Sequence, residues 1–273
     1  NLDLRFRISS IEPNLLSDEI ISFISTSKKF VRHFHIPLQS GSDSILRLMR
    51  RRYDSKLYKS RIEKINKLMP DACIGVDVIV GFPGENDDLF LESLNFLDSL
   101  NVSYFHVFTY SERDNTHAIS LPNVVESNVR TKRSKLLRLL SSKKKASFYE
   151  RNRGSIQDVL FESEEKNGYI EGFSSNYIRF RRPWDPSIIG TIVKSMFVDI
   201  DSDGFAIQQM VHWISMSVNA VVWSEAVLVN VVVAKRVAGC GWAAVVAVAV
   251  IVAVVLFCCV LLCSPPFCCV LLL

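Results

Sequence analysis

The chain has 273 residues, 49% of them hydrophobic and 22% charged, with a formal net charge of +4. This apolar content excludes an intrinsically disordered chain and supplies core for one large or two ordinary domains. Of the 7 cysteines only Cys73 precedes position 240, which excludes a disulfide scaffold and fits a reducing, cytoplasmic setting.

Residues 2–11 alternate as a strand, so the chain begins inside an element and reads as a fragment. Residues 16–25 have helical spacing after Pro13, 30–38 alternate again, and 44–49 and 56–69 are helical, the last stopped by Pro70. A strand at 73–82, an amphipathic helix at 87–100 and a strand at 104–110 follow. Strands separated by helices imply parallel β/α units, and these four strands are too few to close a barrel. The fold class expected is therefore α/β, with residues 1–125 forming a partial barrel.

Residues 126–153 read as one long linking helix with an apolar stripe at Val129, Leu136, Leu137, Leu140 and Phe148. Ten Lys or Arg lie between Arg130 and Arg153 against one acid, Glu150, a density that suits a solvated face or contact with a polyanion. Residues 154–208 break into short alternating runs punctuated by Gly and Pro, which predicts a small all-β barrel of about five strands. Residues 209–273 are an apolar, low-complexity tail whose only charges are Glu225, Lys235 and Arg236. Residues 243–262 could span a membrane; the alternative is translated non-coding sequence, suggested by the Val/Ala bias and the repeated Phe-Cys-Cys-Val-Leu-Leu at 257–262 and 267–272.

Two segments carry chemistry. The first is His35-Ile36-Pro37-Leu38-Gln39-Ser40-Gly41-Ser42-Asp43, followed by Leu48-Met49-Arg50-Arg51-Arg52-Tyr53. It reads as a strand yielding to a polar turn that opens a helix, the way an α/β barrel presents side chains at its carboxyl end. The Gln39 amide can donate to and accept from a pair of hydroxyls, or simply stabilise the turn. Asp43 suits a helix cap, and an arginine among 50–52 can pair with a carboxylate through two parallel hydrogen bonds or complement the helix dipole. The second segment runs from Gly75 to Glu85, with Val76, Val78 and Val80 on one strand face and Asp77, Ile79 and Gly81 on the other. An ionised Asp77 inside a strand is costly unless paired, which makes it a functional candidate. His33, His35, His106 and His117 lack metal-ligand spacing and read as structural or surface residues, and Cys259, Cys263 and Cys268 sit in an apolar repeat, so no metal site is assigned.

Together and in this order, the HIPLQSGSD…MRRRY and GVDVIVGFPGE segments resemble the radical S-adenosylmethionine methylthiotransferases. The branch acting on N6-threonylcarbamoyladenosine beside the tRNA anticodon is the most similar. Gly168-Tyr169 and Asn176-Tyr177-Ile178-Arg179 resemble the TRAM domain that ends these enzymes and binds tRNA, so the resemblance covers about residues 1–208. It implies a partial radical-SAM (β/α) barrel followed by a TRAM barrel and a hydrophobic tail. It also implies that S-adenosylmethionine is held by Gln39 at the ribose, Arg51 at the methionine carboxylate, Asp77 in the adenosine pocket and Ser111 near the adenine. Ser10 or Glu12 would meet the amino group, and Arg179, Arg181 and Arg182 would contact tRNA. After its sixth strand the family usually has Gly-Thr-Pro-Ala, where this chain has Asn115-Thr116-His117-Ala118.

The intact family forms a 5′-deoxyadenosyl radical at a [4Fe–4S] cluster held by Cys-x3-Cys-x2-Cys, activates a C–H bond of the modified adenine, and inserts sulfur and a methyl group. A reductant and a sulfur donor are further partners. No cysteine spacing here matches, so the cluster ligands are expected upstream of Asn1 and this chain alone is expected to be inactive. Two alternatives are a ribosomal-protein methylthiotransferase and a membrane-tethered RNA-binding protein anchored by the tail.

Overall fold

Val76, Val78 and Val80 can be buried together only if helices cover their side of the sheet. The computed structural model, which describes residues 5–210, shows this arrangement. The three valines lie in β2 (Cys73–Val80), the middle of a three-stranded parallel sheet between β1 (His33–His35) and β3 (Tyr104–Thr109). The connecting helices are α1 (Asp18–Thr26), α2 (Asp43–Leu48), α3 (Ser55–Leu68) and α4 (Asp87–Ser99). Ser17, Asp54 and Asn86 cap α1, α3 and α4 by accepting from the N–H groups of Ile20, Leu57 and Leu89.

Two local expectations are corrected. Residues 5–11 do not form a strand: they meet the segment before β1 through the isolated bridge of Phe6 to Phe30, and β1 itself through the Ile11 N–H to His35 C=O bond. Their neighbour β1 is only three residues long and meets Pro37 soon after, so no longer ladder is available to them. Asp43 does not cap; it is the first residue of α2, and its Oδ1 accepts from the Ser55 N–H at 2.7 Å, tying the starts of α2 and α3 together.

Helix α5 (Ser127–Asn152) crosses from the sheet to the second half of the molecule. Its inner face is only partly the apolar stripe expected. Leu137 and Phe148 are buried, but Leu136 is half-exposed, and two of the basic residues, Arg130 and Arg133, are buried instead. Arg133 donates to the Glu85 carboxylate at 2.8 Å, the Glu85 carbonyl at 2.9 Å and Asp87 at 2.7 Å. Arg130 donates to the carbonyls of Val125 and Tyr110 and to Glu112, at 2.6–2.8 Å. Gly81 makes room for it: a Cβ there would come within 2.3 Å of the Arg130 Cγ, and the backbone is left-handed at φ +76°. Lys144 donates to the carbonyls of Asp98 and Leu100. Lys132, Lys135, Arg138 and Lys143 remain exposed.

Beyond α5, the strands β4 (Ile156–Lys166), β5 (Tyr169–Ser174), β6 (Arg179–Pro183), β7 (Ile192–Ile200) and β8 (Ala206–Met210) close a barrel in the order β4-β5-β6-β8-β7. Val159, Phe161, Ile170, Ile178, Phe180 and Phe197 fill it, joined by Phe148 and Tyr149 from α5 and by Cys73 from β2. The two halves therefore share a core. The tail readings concern residues outside the described range; among the described residues no helix is long and apolar enough to cross a membrane.

Polar and aromatic contacts seal the junction. Asn176 is fully buried, donating to the Asp71 carbonyl at 3.2 Å and to Asn152 Oδ1 at 2.8 Å. The Arg32 N–H reaches the Ser175 carbonyl at 2.7 Å. His33 stacks on Tyr177 at 4.1 Å and meets the Tyr104 hydroxyl at 3.0 Å. Burial, aided by the charges of Arg7, His35 and His106, pushes the His33 pKa down from 6.5 to about 3.

That depression makes the junction acid-sensitive. Between pH 6.5 and about 3 the unfolded chain binds a proton on His33 that the folded chain refuses, so this contribution is complete above 6.5 and shrinks as pH falls. Urea unfolding at pH 7 and pH 5 is expected to differ by about 2 kcal/mol from this group, at about 1.4 kcal/mol per pH unit. The difference should be absent from the same pair of measurements on His33→Phe.

Candidate functional site

The carboxyl ends of β1 and β2 build the site from an irregularity. After Pro37 the N–H groups of Leu38 and Gln39 both donate to the Asp77 carbonyl, at 3.2 and 2.8 Å, and the Ile79 N–H donates to the Gln39 carbonyl at 2.8 Å. Two residues thus face one, a bulge that holds Gln39 in the left-handed region at φ +73°. A side chain with a Cβ is held there at a cost of about 1–2 kcal/mol, and such residues gather at ligand sites. Helix α4 supports the turn that follows: Ser93 Oγ accepts from the Gly41 N–H at 2.8 Å, and the Ser42 hydroxyl donates to Glu92 at 2.7 Å.

The end of α2 uses the same device. Arg51 N–H returns to the Leu46 carbonyl and Arg50 N–H to the Arg47 carbonyl, both at 2.9 Å, closing the helix with Arg50 at φ +56° where glycine is usual. The chain reverses there. Arg51 then projects back to Glu12, Nη1 to Oε1 at 3.3 Å.

Gln39, Arg51, Asp77 and Ser111 all line one cavity of about 620 Å³, with Met49, Ile79, Phe82 and Phe108 among its apolar walls. Thr116, His117 and Ala118 of the loop after β3 line it too. Ser10 is exposed and is not part of that lining, whereas its alternative, Glu12, reaches the cavity's edge through Arg51. Arg179, Arg181 and Arg182 lie in β6, in the other half of the molecule. Each meets an acid: Arg179 pairs closely with Glu171, Arg181 lies 2.7 Å from Asp203, and Arg182 lies 3.6 Å from Asp185. Arg179 and Arg181 also lie over the Phe205 ring, at 4.6 and 3.7 Å.

His35, half-buried, and His106, exposed, both approach Asp77. His35 Nε2 lies 2.8 Å and His106 Nδ1 3.3 Å from the same oxygen of Asp77, Oδ1. Strand parity could have put each on its face, but only the parallel register, Asp77 beside His106, brings them together. The donor set for an iron–sulfur cluster is a different matter. Cys73 is the sole cysteine among the described residues, and burial pushes its thiol up to about 12, so these residues do not fit a four-iron cluster.

Replacing Gln39 with glycine separates stability from function. Gln39→Gly relieves the left-handed strain and is expected to raise the unfolding free energy by about 1 kcal/mol in urea titration. The same variant should bind the cavity's ligand more weakly, because the amide is gone.

Residues 1–97 match the family model described as "Radical SAM superfamily". The chain is 40% identical over 195 residues to the threonylcarbamoyladenosine tRNA methylthiotransferase MtaB of Bacillus subtilis (strain 168), which covers 70% of this chain and 43% of that protein. It is 38% identical over 190 residues to the tRNA-2-methylthio-N(6)-dimethylallyladenosine synthase of Vesicomyosocius okutanii subsp. Calyptogena okutanii (strain HA), covering 69% of this chain and 43% of that protein. The chain thus spans less than half the length of the curated relatives it matches. Among solved structures, coproporphyrinogen III oxidase (HemN) from Escherichia coli, a radical SAM enzyme, is similar at TM-score 0.38 and 13% identity, over 54% of this chain and 32% of that one. The matched sequence thus identifies residues 1–97 as radical SAM sequence and makes about 70% of the chain similar to tRNA methylthiotransferases.

Proposed function

We propose that the chain is the part of a cytoplasmic tRNA methylthiotransferase that holds S-adenosylmethionine and contacts tRNA. The enzyme would add a methylthio group to C2 of N6-threonylcarbamoyladenosine beside the anticodon. The observation that carries this reading is that Gln39, Arg51, Asp77 and Ser111, drawn from four separate segments, line a single cavity. The 40% identity to the threonylcarbamoyladenosine enzyme over 195 residues favours that substrate branch.

The ends of the cofactor match the ends of the cavity. Its methionine moiety is a zwitterion, and Arg51 with Glu12 offers a cation and an anion side by side. Glu12 therefore fits the amino group better than Ser10. Gln39 and Asp77 offer polar groups to the ribose hydroxyls, while Ile79 and Phe108 suit the faces of the adenine and Ser111 its polar edge. When bound, S-adenosylmethionine supplies the methyl group; the residues of this chain bind it, orient it and shield it from water.

For RNA, the exposed Lys132, Lys135, Arg138 and Lys143 of α5 offer cations to phosphates, and the closed five-stranded barrel is read as the TRAM domain. Arg179, Arg181 and Arg182 would join them by exchanging their acidic partners for phosphate.

Isothermal titration of the full chain with S-adenosylmethionine is expected to give one site, weakened at least about tenfold in Arg51→Ala through loss of a charge-assisted pair. Equal affinity in the variant would refute the assignment of the methionine end. Binding of unmodified anticodon-arm RNA should weaken steeply with salt, each phosphate neutralised by a lysine or arginine adding about 0.9 to the steepness of the log–log plot. Exchanging Lys132, Lys135, Arg138 and Lys143 together for alanine should flatten that slope; an unchanged slope would place the RNA elsewhere.

A further inference from the structure

We propose that His35 and His106 are positioning residues for Asp77: from two neighbouring strands they fix its carboxylate for the hydroxyl groups of the ligand in the cavity. This rests on the reading of the cavity as the S-adenosylmethionine site.

The three residues lie on the sheet face opposite Val76, Val78 and Val107, whose side chains are buried. Asp77 pairs in register with His106 on β3. On the other side, His35 pairs with Gly75, two residues before Asp77, so Asp77 receives one imidazole from each flanking strand. Gly75 is required for this packing, because a Cβ there would lie 2.4 Å from the Tyr104 ring. Tyr104 in turn lies 5.1 Å from the His106 ring, and the His35 and His106 rings meet edge-on at 5.3 Å. Both imidazoles are thereby braced by aromatic neighbours.

The atoms involved give the proposal its specificity. His35 reaches Asp77 with Nε2 and His106 reaches it with Nδ1, and both meet Oδ1. The hydrogen bond from His35, with the His106 nitrogen set 3.3 Å from the same oxygen, restricts rotation of the carboxylate and leaves its second oxygen for the ligand. A carboxylate oxygen accepts hydrogen bonds from hydroxyls. A carboxylate held in this way does not have to be ordered when the ligand arrives, so its binding energy is not lost to reorganisation. Neutral imidazoles suffice, provided His35 carries its proton on Nε2 and His106 on Nδ1.

Side-chain amides test those atoms one at a time. Glutamine places its NH2 near the position of Nε2, and asparagine places its NH2 near that of Nδ1. In titrations of the full chain with S-adenosylmethionine in the presence of EDTA, His35→Leu and His106→Leu should each weaken binding by about tenfold or more. His35→Gln and His106→Asn should bind within about twofold of the wild type, while the mismatched pair, His35→Asn and His106→Gln, should behave like the leucine variants. Circular dichroism checks that every variant folds. Wild-type affinity in the leucine variants, or no difference between matched and mismatched amides, overturns the proposal. So does wild-type binding that requires added Zn²⁺ or Mn²⁺, because the three donor atoms lie within 4.8 Å of one another and would then be ligands of a cation.

A second readout separates this proposal from the cavity reading. Long-range ¹H–¹⁵N spectra of the ligand-free chain should show His35 as the Nε2–H and His106 as the Nδ1–H tautomer, both perturbed by Asp77→Asn. If wild-type protein binds no S-adenosylmethionine, the cavity reading fails, and these spectra still decide whether the two imidazoles hold Asp77. The opposite tautomers would refute that.

Discussion

Glu85 and Arg133 bury opposite charges between the loop after β2 and the second turn of α5, and neither could remain there alone. Burial pushes the Glu85 carboxyl up, and the Gly81 N–H and the Arg133 guanidinium oppose that shift. Removing one partner of such a pair typically costs about 3–5 kcal/mol, so the contact fixes the position of α5 against the sheet. Much else depends on that position. The loop closed by Glu85 supplies Phe82 to the cavity wall, and the far end of α5 supplies Phe148 and Tyr149 to the barrel core. One buried pair therefore links the geometry of the cavity to the seating of the barrel.

The cavity itself is built on conformations that the chain would avoid elsewhere. Gln39 and Arg50 both have left-handed backbones without being glycine, and both line the same space. At Gln39 the strain is held by three hydrogen bonds to β2; at Arg50 it is held by the closure of α2. Glycine would satisfy either backbone at lower cost, and Gln39 instead adds a side chain to a residue that lines the cavity.

Several elements were legible in the sequence because local physics decides them. The alternation of Val76, Val78 and Val80 gave β2 its buried face, and helical spacing located α1, α3 and α4. Residues 5–11 misled because alternation says that a segment can pair, not that a partner of sufficient length lies beside it. The basic helix misled in part for a related reason. Composition counts Arg130 and Arg133 as surface charge, and only the fold reveals carbonyls and carboxylates within reach of them. The clustering of His35 and His106 about Asp77 was illegible because residues 42 and 71 positions apart from His35 meet through sheet register, which local spacing does not encode.

Cys73 sits where the sheet and the barrel share their core, and its thiol is held protonated by burial. A reagent that attacks only thiolates cannot reach it while the two halves remain together. Its labelling, followed at the peptide that carries it, therefore counts the moments when the halves part. The chain carries its own clock for that opening, readable without altering a single residue.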